Sequence, residues 1–69
     1  MNDFVFYTAM EKIVAALKEK GYEPYEQLYG YIQNNEPAYI TRHKGARDLI
    51  LTLDKRQVQQ YIKEMKKEY

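Results

Sequence analysis

The stretch Tyr39-Ile40-Thr41-Arg42-His43-Lys44-Gly45-Ala46-Arg47 is the densest concentration of chemically capable side chains in the sequence. With Thr41 read as the N-cap of a helix, Arg42, His43, Lys44 and Arg47 stand beside that helix's N-terminus. Free backbone N–H groups, a positive dipole end and cationic side chains are the ingredients of an anion site. Arg42 and Arg47 are five positions apart, about 140° around an ideal helix, so they converge only if Arg42 lies outside the regular turn. The group they would hold is a carboxylate such as Glu36, the acidic N-terminal half of a second copy, or a bound anion. The plainer alternative is a surface helix start with solvated Lys and Arg. Basic residues in a first turn oppose the macrodipole, however, and that inconsistency points to something negative nearby. His43 alone could serve as an acid or base, although an imidazole bonded to a backbone carbonyl is its plainer role. Tyr39, Thr41, Arg42, His43 and Arg47 are therefore the candidate pocket or partner contact.

The remaining inventory argues against catalysis. The chain has no Ser, no Cys, one His and three Gly, with no Gly-rich phosphate loop and no paired His and carboxylate spacing. No catalytic, cofactor-binding or metal residue is expected, and the protein is read as a non-enzyme. Eleven Lys and Arg against ten Asp and Glu leave a net charge of +1, too little for binding nucleic acid by bulk charge. The charge is unevenly spread: residues 1–41 carry three Lys against six acids, and residues 42–69 carry eight Lys and Arg against four. A dimeric helix-turn-helix-like DNA binder using Lys55, Arg56, Lys63, Lys66 and Lys67 is the alternative to a protein-binding role. It lacks the usual Gly-containing turn, so nucleic acid is not the expected partner.

With 69 residues, one domain spanning 1–69 is all the chain has room for. Ordering costs ~1.5 kcal/mol per residue, which so small a core only just offsets without a disulfide or metal. Oligomerisation is the remaining staple, so a homodimer is expected. The sequence holds eight tyrosines, which give a large apolar body with a polar tip. Tyr22, Tyr25, Tyr29, Tyr31 and Tyr39 are the candidate interface. No segment approaches the ~18 apolar residues of a membrane span, and the start lacks signal-peptide character. The expected location is cytoplasmic.

Four helices would position these residues. Asn2 or Asp3 caps the first, over about 4–20, with Phe6, Met10, Ile13, Val14 and Leu17 as its stripe and Gly21 just past its end. Pro24 opens the second, whose face is Tyr25, Leu28, Tyr29 and Ile32 and which ends near Asn34-Asn35-Glu36. Gly30 inside it costs ~1 kcal/mol relative to Ala, so it needs another reason, such as close backbone approach. Pro37 to Ile40 allows one helical turn. Thr41 caps a third helix carrying Ala46, Leu49, Ile50 and Leu53. Asp54 opens a fourth with Gln57 at N3 and a stripe of Val58, Tyr61, Ile62, Met65 and Tyr69. No strand pattern appears; the expected fold is all-α, a bundle of about four helices plus one short turn.

Lys20-Gly21-Tyr22-x-Pro24, Gln27, Gly30-Tyr31 and Pro37-Ala38-Tyr39-Ile40-x-Arg42-His43-Lys44-x-Ala46-Arg47 resemble the IreB family of small bacterial regulatory proteins. The match extends more loosely from about Val14 to Ile62. The resemblance implies an all-helical, cytosolic, non-enzymatic homodimer. It further implies a substrate of a membrane-bound Ser/Thr kinase with PASTA repeats, acting as a negative regulator in cell-envelope stress and cephalosporin resistance. Phosphorylation in that family falls on threonines ahead of the first helix. Here only Met1 to Asp3 precede the helix, so the one N-terminal threonine, Thr8, is the candidate phosphoacceptor. The family's last helix is acidic, whereas Asp54 to Tyr69 is basic here, which implies a different outer surface and a divergent paralogue.

Overall fold

The computed structural model describes residues 3–68 as four helices: α1 (Asp3–Glu19), α2 (Pro24–Asn34), α3 (Ala46–Leu51) and α4 (Lys55–Glu68). Two 3-10 turns, Pro37–Tyr39 and His43–Gly45, fill the connection between α2 and α3. There is no strand among the described residues. The cap candidate Asn2, the Lys67 side chain and the stripe residue Tyr69 lie outside the described residues.

Local chemistry sets most boundaries. Gly21 takes φ +82°, and the Tyr22 and Gly21 amides donate to the Leu17 and Lys18 carbonyls at 2.9 and 3.0 Å. That is a Schellman ending, which a residue with a Cβ makes only under strain. Pro24 opens α2 as expected, and Glu23 caps it by accepting from the Glu26 amide at 3.0 Å. Glu36 repeats the device for the first 3-10 turn, accepting from Ala38 at 3.1 Å. Asp54 accepts from the Arg56 amide at 2.7 Å and so caps α4.

The third helix differs from its expected course. Lys44 and Gly45 both take left-handed φ, +53° and +74°, so no helix runs through them. Thr41 does cap, but it caps the 3-10 turn, accepting from the His43 amide at 3.1 Å. α3 begins only at Ala46 and ends before Leu53, which closes a further tight turn onto the Ile50 carbonyl.

The apolar stripes meet in one core. α1 contributes Phe6, Met10, Ile13, Ala16 and Leu17, and α2 contributes Leu28 and Tyr31. α3 adds Ala46 and Ile50, α4 adds Val58 and Ile62, and the connection itself adds Ile40, which is fully buried. α1 lies against α3 and α2 against α4. Burying these side chains, at ~1.5–3 kcal/mol each, is the main force holding so short a chain together.

Gly30 supplies the close approach that its position in α2 calls for. A Cβ there would stand 2.5 Å from Cδ1 and Cε1 of Tyr39. The ring lies flat on the helix backbone and needs the missing side chain. Gly30→Ala gains roughly 1 kcal/mol of helix propensity but forces the ring off, at about 1–3 kcal/mol. Urea unfolding should show net destabilisation for Gly30→Ala alone. In a Tyr39→Ala background the same change should become neutral or stabilising. Stabilisation of the otherwise unaltered chain by Gly30→Ala would refute the packing argument.

Candidate functional site

The basic motif is built into the scaffold by four sets of contacts. Tyr39 is fixed to α2 at three points: its ring on Gly30, its carbonyl accepting from Gln27 Nε2 at 2.8 Å, and its hydroxyl accepting from Asn34 Nδ2 at 3.2 Å. Ile40 drops into the core, and its carbonyl accepts from Arg47 Nε at 2.9 Å. His43 Nε2 lies 2.7 Å from Glu19 Oε1, and Lys44 Nζ lies 3.1 Å from the same oxygen. Thr41 and Arg42 shape the turn between them, Arg42 by accepting from the Gly45 amide at 3.0 Å.

This arrangement divides the residues of the expected anion site between separate contacts. Arg42 and Arg47 do not converge on a negative group. Arg47 spends its Nε on a backbone carbonyl seven residues back, tying the first turn of α3 to the linker. A hydrogen bond from a charged donor stabilises by about 1.5–3 kcal/mol. Arg42 is exposed and stands apart from that bond. The carboxylate that the basic turn meets within the chain is Glu19, at the end of α1, rather than Glu36. His43 likewise meets a carboxylate rather than a backbone carbonyl.

Glu19 was missed because Lys18 and Lys20 flank it and hide its oddity. A carboxylate in the last turn of a helix opposes the macrodipole, as do cations at the start of one. Each misplaced charge answers the other. The signal was present in both places, but only their juxtaposition explains it.

Electrostatics follow from this geometry. The hydrogen bond from His43, then that from Lys44, hold the Glu19 carboxyl below the ordinary Glu range. A depressed folded-state pKa contributes stability above the unfolded value, and that stability is lost as pH falls through the folded one.

The other candidates separate by exposure. Tyr31 is 1% exposed and packs in the chain's own core, so it offers nothing to a partner. Tyr25 is half-buried against that core, its ring 5.9 Å from that of Tyr29. Tyr22, Tyr29 and Tyr39 remain exposed. Thr8 lies half-buried on α1, in a groove of about 250 Å³ shared with Phe4, Val5, Lys12 and Leu49. Phe4 and Val5, 77% and 59% exposed, fall off the stripe that faces the core, and sequence reasoning passed over them for that reason. On α4, Lys55, Lys63 and Lys66 are all exposed, and Lys55 also reaches the Asn35 side chain and the Tyr31 ring. Among the described residues no cluster of three or more His, Cys, Asp or Glu could hold a metal. No described helix is long and apolar enough to cross a membrane.

Fold and motif together define a small all-helical protein whose one polar motif is committed to its own linker. Residues 3–69 match the IreB regulatory phosphoprotein family, and the chain belongs to it. The resemblance carried by residues 20–47 thus extends over almost the whole sequence, basic last helix included.

Between about pH 5 and pH 3, where free Glu side chains titrate, the chain should lose stability more steeply than a Glu19→Gln variant. Parallel thermal melts across that range check this. Identical slopes would mean that Glu19 contributes no linkage.

Proposed function

We propose that the chain is a non-enzymatic, cytoplasmic regulator that works as a homodimer and is governed by a PASTA-repeat Ser/Thr kinase. Its role is that of a negative regulator in cell-envelope stress and cephalosporin resistance. The observation that carries this is the family match across residues 3–69. The internal use of the Tyr39–Arg47 motif supports it, because recognition then falls to the outer helix faces. A second copy is the occupant proposed for the groove of Phe4, Val5, Thr8 and Leu49. Its apolar floor lies on two elements already packed together, α1 and α3, and large exposed apolar side chains favour association. This replaces the tyrosine-rich face as the main interface, with Tyr22, Tyr29 and Tyr39 left for other contacts.

Sedimentation at tens of micromolar, where tight dimers persist, should give about twice the 8.3 kDa chain mass. Val5→Glu should shift the protein to monomer without changing its helical circular dichroism. A monomer at every concentration would remove the dimer. Incubation of the full chain with the catalytic domain of such a kinase and ATP should add one phosphoryl group by intact mass. An unmodified chain beside a labelled generic substrate would remove the kinase.

A further inference from the structure

We infer that Thr52, in the exposed turn between α3 and α4, is the phosphate acceptor of this chain. The inference rests on the proposed Ser/Thr-kinase reading and names the site that reading leaves open. The sequence offers few choices: no serine, and three threonines, Thr8, Thr41 and Thr52. A kinase needs the hydroxyl in line with the γ-phosphate on backbone that can be drawn into its cleft. The reaction breaks the bond from the γ-phosphorus to ADP and forms one to the threonine Oγ1. The hydroxyl proton passes to the kinase's base.

Thr8 meets this requirement poorly. It is half-buried inside α1, with Phe6, Ala9 and Met10 around it in the core. Drawing it out unwinds the helix and exposes those side chains. Thr41 is half-buried too, and its Oγ1 already accepts from the His43 amide. Its neighbour Ile40 is fully buried and tied through its carbonyl to Arg47. Moving Thr41 therefore dismantles the linker.

Thr52 carries neither burden. It is exposed, lies just past the last residue of α3, and is flanked by the exposed Leu51. Asp54, Lys55 and Arg56, just beyond it, are exposed as well. Of the residues from Leu51 to Arg56, only Leu53 packs against the core. The Thr52 hydroxyl donates to the Leu49 carbonyl at 2.7 Å, but that carbonyl also accepts from the Thr52 amide at 3.1 Å. Losing the hydroxyl proton to a phosphate ester leaves the carbonyl served.

The modification would be felt. A phosphate carries about −1.5 to −2 charges at neutral pH. At Thr52 it sits at the carbonyl end of α3 and two residues from Asp54, where like charge repels it. Arg56, its side chain 91% exposed and only 3.9 Å from Asp54, is the cation placed to re-pair. The α3–α4 turn is thereby loosened or rearranged around Ile50 and Leu53.

The test is phosphorylation of the full chain by the catalytic domain of a PASTA-repeat Ser/Thr kinase, with peptide mapping by mass spectrometry. Phosphate should map to Thr52. Thr52→Val should lower the initial rate at least tenfold, Thr52→Ser should restore it, and Thr8→Val should stay within twofold of the unaltered chain. Far-ultraviolet circular dichroism checks that each variant is folded. Phosphate on Thr8 or Thr41, with Thr52→Val labelled at the full rate, overturns the inference and leaves the kinase reading standing. No phosphate on any residue, with a generic substrate labelled alongside, overturns both.

Discussion

One buried core holds the chain together, and the linker that crosses it is pinned to the end of α1 where Glu19 meets His43 and Lys44. α1 ends at Glu19 and α3 begins at Ala46, and those helices lie against each other although α2 and an irregular linker separate them in the chain. Without a disulfide or metal, that connection must be held by side chains. Lys44 and Gly45, both at positive φ, turn the chain so that His43 and Lys44 both face the end of α1. A non-Gly residue at positive φ is uncommon and persists only when its surroundings fix it. Here the ion pair is that surrounding. The Arg47 bond to Ile40 and the Tyr39 contacts to α2 complete the anchoring, so the linker touches α1, α2 and α3.

Much of this was legible in the residues. Gly21 marks the end of α1 because glycine tolerates positive φ, and Pro24 and Pro37 mark the starts of α2 and of a single turn because proline fixes φ and removes a donor. Gly30 announced a close approach by being out of place in a helix, and Tyr39 is what approaches. The start of α3 was not legible. A Thr followed by basic residues and then an apolar period reads as one helix, and nothing in Lys44 itself says that it adopts left-handed backbone. Nor does a one-dimensional pattern reveal that a cation at position 44 meets a carboxylate at 19. That pairing comes from tertiary packing. The tyrosines show the same limit: the spacing puts Tyr29 on the core-facing stripe of α2 and leaves Tyr31 off it, whereas Tyr31 is the one buried and Tyr29 is exposed.

The functional consequence is a division of labour. Tyr39, Thr41, His43 and Arg47 all make contacts that hold the linker in place. Lys63 and Lys66 on α4, the apolar groove of α1 and α3, and the turn at Thr52 remain as surfaces that a partner or an enzyme can meet.

The linker is held as firmly as the helices it joins. Native-state hydrogen exchange of individual amides tests this most directly. The Ile40 amide, bonded to Pro37, and the Ala46 amide, bonded to His43, should open only with the whole molecule, within about 1 kcal/mol of the core amide of Ile13 in α1. Exchange of Ile40 and Ala46 at rates typical of a mobile loop, with Ile13 still protected, would contradict the account.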